Sequence, residues 1–274
     1  MTNGAAEIGF ARRDGVTRLA HLYQADPLRV LFPIPEAGDP IEAAIVTTSG
    51  GLVGGDRIDV AIRVDRAARA HVTATAAEKI YRSTGATTVV RQSLAVADGA
   101  ALEFLPPETI LFEGARLQRE TAVEIGNGGA FLGGDIMVFG RRARGEHFTK
   151  GLLRTVWEVR QQGRLVWGDA LHLDGDIAGV VDNPACFGGA AGFATLMLAP
   201  AGNDPQKFVD GARGVQAAAP EGVRAGVTAV AGLVVARWLA ADAALLRRAY
   251  ADLACHLRCE AMGLPCRLPR IWHV

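Results

Sequence analysis

Val64-Asp65-Arg66-Ala67-Ala68-Arg69-Ala70-His71-Val72 reads as the end of one strand, a turn of small residues and the start of the next strand. Val96-Ala97-Asp98-Gly99-Ala100-Ala101-Leu102-Glu103-Phe104 repeats the pattern, and so does Ile125-Gly126-Asn127-Gly128-Gly129-Ala130-Phe131-Leu132. A separation of roughly 30 residues is the scale at which strand units stack and bury a common apolar face. The expectation is a mostly β, β-helix-like body of stacked strands over about residues 15–235. An antiparallel sandwich is the competing reading, because Asp-Gly and Asn-Gly turns suit any hairpin.

Upstream of the first unit stands Thr48-Ser49-Gly50-Gly51-Leu52-Val53-Gly54-Gly55-Asp56, followed by Arg57-Ile58-Asp59-Val60-Ala61-Ile62-Arg63-Val64. The second segment alternates apolar and polar residues, the mark of a half-buried strand. The first is no phosphate loop, since Asp56 stands where a Lys-Ser or Lys-Thr pair would be needed. Its glycines permit a tight corner that holds the Asp56 carboxylate in a fixed direction, or an ordinary turn with a solvated Asp. Near the other end, Leu239, Leu246, Ala249, Leu253, Leu257 and Met262 recur at helical spacing across Trp238 to Gly263. This predicts an amphipathic helix that lids the sheet. A shorter helix is expected from Asp204 to Gly211, with Asp204 as cap and Pro205 in the first position. No linker divides the chain, so residues 1–274 read as a single domain.

Half of the residues are apolar, enough for a sizeable core, and the 29 basic residues balance 29 acidic ones. Such neutrality argues against a nucleic-acid or anionic-membrane partner held by charge. The start lacks a basic and apolar leader, and the longest apolar stretch, Val227 to Leu239, contains Arg237. A cytoplasmic protein without a membrane span is expected. Cys255, Cys259 and Cys266 do not form a disulfide framework; with His256 or His273 they could offer three thiolates to a metal, although the spacing fits no standard zinc pattern.

Glu78, Glu108 and Asp135 each follow a repeat unit beside a turn, so stacking would bring them to one edge. Clustered carboxylates raise one another's pKa unless cations offset them, so the row is either an ion-pair network or a cation path. Lys79, Arg82, Arg116 and Arg141 are available as the offset. No nucleophile elbow, zinc-protease pair or dinucleotide fingerprint occurs. A β-helix hydrolase acting on carbohydrate through paired acids from Asp56, Asp135 and Asp169 is the alternative. Four Trp and three Tyr are few for the aromatic platforms of a sugar site.

Several ordered motifs resemble those of the UreD (UreH) urease accessory proteins: Ser49 to Asp56, Lys79-Ile80-Tyr81-Arg82-Ser83, Leu102 to Phe112, Gly140 to Glu146, and Pro269-Arg270-Ile271-Trp272. The resemblance runs from about Gly15 to Trp272, with Ser49 where the family often has a third glycine and Asp135 where it often has Glu. It implies a non-catalytic scaffold that joins UreF and the GTPase UreG, with UreE as a possible nickel donor, on the urease apoprotein. Nickel(II) would pass transiently through the scaffold, GTP would bind UreG, and no cofactor would stay bound. By position, Asp56, Lys79, Ser83, Asp135 and Asp169 match polar residues of the family's nickel route, with Glu78 and Glu108 as supporting groups. Oxygen ligands suit an ion in transit because they hold nickel less tightly than thiolate or imidazole. The C-terminal helix and the tail Pro269 to Val274 are expected to offer partner contacts, with Arg248 and Trp272 as candidates.

Overall fold

A computed structural model describes residues 1–273. The repeat units mark the corners of a β-solenoid of about 4 turns. One wall of the coil contains β1 (Asn3–Arg13), β5 (Arg57–Val64), β8 (Thr88–Val96), β11 (Arg116–Ile125) and β13 (Leu152–Gln161). These five run parallel to one another. The hairpin partners β2 (Val16–Ala25) and β14 (Arg164–Asp174) close the two ends of this seven-stranded sheet. The second wall stacks β4 (Ile41–Thr47), β6 (Arg69–Ala74), β9 (Ala101–Phe104) and β12 (Ala130–Phe139) in parallel. It is extended by β3 (Leu28–Leu31) at one end, and by β15 (Gly192–Ala199), β17 (Leu233–Ala240) and β16 (Val223–Val230) at the other. Short β7 (Glu78–Ile80) and β10 (Thr109–Leu111) pair beside β12.

Residues that match by the repeat are neighbours in the ladder. Val64 pairs with Val96 and Val96 with Ile125. Between successive turns every pairing is parallel, which rules out the hairpin sandwich. The corners stack through their turn residues: Asp98 accepts from the Asn127 amide at 2.9 Å, and its carbonyl accepts from Ala67. Inward side chains such as Ile62, Leu94, Val123 and Val159 form a column that packs on Val72, Phe104 and Phe131 of the opposite wall. Complete burial of each is worth about 1.5–3 kcal/mol, so the column is a principal stabiliser.

The second wall is covered on both faces. Its outer face packs against α2 (Gln206–Ala217) and α3 (Ala243–Met262) through Leu132, Ile136, Leu196, Tyr250 and Leu253. Asp242 caps α3 by accepting from the Ala244 and Leu245 amides, and Gly263 ends it with φ 62°. The predicted helix start at Trp238 is therefore corrected, since Trp238 lies in β17. A strand covered on both sides is apolar at successive positions, and that run imitates a helical stripe. The strands also begin at Asn3 rather than near residue 15. α2 runs past Gly211, whose missing side chain leaves room for the His256 imidazole. A further helix, α1 (Ile177–Asp182), had no distinct sequence signal. Cys259 and Cys266 form a disulfide, so the three-thiolate metal set is not available and one bridge exists where none was expected. Burial raises the Cys255 thiol. The His273 side chain, the other suggested ligand, and Val274 of the predicted tail lie outside the described residues. Among the described residues no helix is long and apolar enough to cross a membrane.

Candidate functional site

Polar side chains interrupt the apolar column midway along the coil, in the space between the two walls. On the first wall, Gln92, Thr121, Trp157 and Asp169 occupy adjacent strands at one level. Thr121 donates to Gln92 at 2.8 Å. On the facing wall Asp135, Thr195 and Arg237 share a level. The two rows meet where Trp157 Nε1 donates to Asp135 Oδ2 at 3.2 Å and Arg237 pairs with Asp169 at 2.5 Å. One turn away, Arg119 reaches inward from β11 and donates to Thr109 Oγ1 at 2.8 Å. Both Asp135 and Glu78 act electrostatically on its guanidinium. Glu78 in turn accepts from Thr47 Oγ1 at 2.6 Å.

Arg119 and Asp135, both buried, thus lie in a file of charge with Glu78 at one end and the partly exposed Asp169 at the other. At the Glu78 end a cavity of about 160 Å³ is lined by Glu78, Lys79, Gln92, Thr109 and Arg119. At the Asp169 end a cavity of about 400 Å³ is bordered by Asp169, Thr195, Arg237 and Cys186. Burial pushes the Asp135 carboxyl up, against the lowering pull of Arg119 and Trp157, and Asp169 adds to the rise. Burial likewise raises Glu78, offset by its bond from Thr47 and by the charge on Arg119. Buried carboxylates of this kind are stabilised in their charged form by a nearby cation. They do not form a closed cage: among the described residues no three His, Cys, Asp or Glu side chains are grouped to hold a metal ion.

The other expected residues lie around this file rather than in it. Asp56 is buried at its glycine corner, accepting from the Thr2 and Val53 amides at 2.8 and 2.9 Å, and 4.0 Å from the Met1 ammonium. The corner is possible because a Cβ on Gly51 would come within 2.7 Å of the Lys79 carbonyl. Lys79 borders the first cavity with its side chain exposed. Ser83 closes its own turn, donating to the Ala86 carbonyl and accepting from the Gly85 amide. Glu108 faces away from the interior and pairs with Arg247 of α3 at 2.8 Å, so it does not join Glu78 and Asp135. Arg248 is exposed. Trp272 is buried, contrary to its expected place on an exposed tail: it stacks on Tyr250, donates to the Leu105 carbonyl at 3.0 Å and lies under Arg247.

Arg119, Thr109, Trp157 and Arg237 were not anticipated. Arg119 had a legible signal, because it shares the inward phase of Leu117, Thr121, Val123 and Ile125 in an alternating strand. The other three depend on which strands face each other across the coil.

The motifs Ser49 to Asp56, Lys79 to Ser83 and Leu102 to Phe112 converge at the Glu78 end, where Tyr81 and Phe112 pack edge to face and Arg141 covers Phe112. The family model "UreD urease accessory protein" matches residues 2–273. A protein of Magnetococcus marinus named urease accessory protein UreD is 44% identical over 274 residues, covering 99% of this chain and 94% of its own length. Proteins of the same name from Methylobacterium sp. and Rhodopseudomonas palustris are 43% and 39% identical, covering 94% and 98% of this chain and 89% and 90% of their own lengths. The chain belongs to the UreD family of urease accessory proteins.

Proposed function

We propose that this chain, as a factor in urease maturation, is a non-catalytic cytoplasmic scaffold that carries nickel(II) through its interior into the urease apoprotein. UreF and the GTPase UreG would be its partners, with UreG binding GTP and a donor such as UreE supplying the ion. The observation that supports this most is the charged file Glu78–Arg119–Asp135–Asp169 between two cavities of the coil. Oxygen donors spaced along a path give a borderline divalent ion successive weak sites, so the ion moves instead of lodging. Buried charge without a closed ligand shell suits transit better than storage. Asp56 shapes the approach by fixing the glycine corner beside the first cavity. The alternative hydrolase would use Asp135 and Asp169 as its acids, but urease accessory proteins are what this chain resembles along its whole length.

The test is single replacement of Glu78 by Gln, Asp135 by Asn and Asp169 by Asn, in cells that also express urease and the other accessory proteins. Nickel per purified urease should fall severalfold for each variant while the scaffold still co-purifies with its partners. Undiminished nickel in all three rejects the route. The same comparison run without urease subunits separates the readings, because a hydrolase would act alone.

A further inference from the structure

Two arginines are buried in this molecule, and they are bonded very differently. Arg258 donates to both oxygens of Glu103, at 2.8 and 3.0 Å, to Asp39 at 3.1 Å, and to the carbonyls of Pro265 and Arg267. That is the saturated pattern a structural buried guanidinium needs. Arg119 has none of it. Among the described residues it makes one hydrogen bond, to Thr109, its Nε has no partner, and no carboxylate lies within 4.0 Å. Its guanidinium borders a cavity that Glu78 also lines, and both Glu78 and Asp135 act on it electrostatically. Few hydrogen bonds fix its direction.

We propose that Arg119 is the resident counter-ion and gate of the interior route. Its positive charge balances Glu78 and Asp135 while the route is empty and swings aside as a divalent cation passes. The inference rests on the nickel-route reading above and adds the residue that keeps the route from becoming a trap. Two neighbouring carboxylates without a resident cation would attract a dication, whereas a positive charge acting on both opposes it strongly even at an effective dielectric of about 20. A mobile guanidinium makes the site reversible.

The probe is nickel(II) alone, added to the full chain and followed by equilibrium dialysis, with thermal melts to confirm folding. The wild type should retain no tightly held nickel. Arg119→Gln, which removes the charge and keeps a hydrogen-bonding tip, should gain affinity at least about tenfold and approach one ion per chain. Arg119→Gln combined with Asp135→Asn should lose that gain. Arg119→Lys, which keeps the charge and is the variant better placed to fold, should retain no more nickel than wild type. A folded Arg119→Gln chain that binds nickel no better than wild type overturns the gate, as does an Arg119→Lys chain that retains nickel. If Asp135→Asn alone lowers nickel in urease while Arg119→Gln has no effect on binding, the gate fails and the route stands. Undiminished urease loading in Glu78→Gln, Asp135→Asn and Asp169→Asn alike removes the route itself.

Discussion

Glu103 and Asp135 show how one functional group, the carboxyl, takes opposite character at two buried positions of the same wall. Burial alone would raise Glu103, but the His71 ring 3.3 Å away and the two bonds from Arg258 overcome it and hold the carboxyl at about 2. Its stabilising contribution is complete above the ordinary value of 4.5 and is lost as pH falls from there toward about 2. Asp135, Glu78 and Glu42 shift upward instead, chiefly through burial. Their protonation on acidification relieves a penalty, so they oppose the acid loss due to Glu103. Glu103→Gln should therefore flatten the decline in stability between pH 4.5 and 2, and cost about 3–5 kcal/mol at neutral pH by leaving Arg258 without its main partner. Urea titrations across that pH range check both; a variant with the wild-type acid slope shows that another group controls it. The Glu42–His71–Glu103 row was hidden in the sequence, because these residues come from three strands and meet only through the ladder. Asp56, by contrast, was legible at its glycine corner.

Elements of this coil are defined by close approach as much as by apolar pattern. β12 is buried along its whole length and contains Gly133-Gly134 at its centre. A Cβ on Gly134 would lie 1.9 Å from the Thr195 carbonyl, so β12 and β15 can pair at this distance only with hydrogen there. Gly134→Ala should push the strands apart and destabilise the fold by about 1–3 kcal/mol, as overpacked cores do. The check is a shift of the denaturation midpoint, and an unshifted midpoint means that the ladder yields without cost. Because Asp135 is the next residue, the same substitution should also disturb the Trp157 bond to its carboxylate. The repeat corners and the end of α3 at Gly263 were readable, since turn chemistry and caps are local. The start of α3 was not, because a doubly covered strand and a helix share an apolar run.

For the whole molecule, the C-terminal tail is an internal latch that ties α3 to the coil. Trp272 joins Tyr250, Arg247 and the Leu105 carbonyl, and Arg267 pairs with Asp39 and Glu36. Trp272→Ala should cost about 3–5 kcal/mol, the range for truncating a large buried aromatic side chain. Loss of a partner after tail deletion would then reflect unfolding as much as a missing contact. Arg248→Glu is the cleaner probe of the proposed UreF surface: this exposed residue should change recovery of UreF in a pull-down with no change in melting temperature. Equal recovery for Arg248→Glu and wild type places that surface elsewhere.

The strands, their corners and the kinship were written in the sequence, because alternation, turn residues and ordered motifs are local properties, while the parallel pairing that makes a coil of them became definite only in the ladder. Tertiary structure alone decided which polar groups meet. Glu78, Arg119, Asp135 and Asp169 come from four strands, and only the facing of two walls gathers the first three in the interior, with Asp169 at its partly exposed rim, where their charges act on one another.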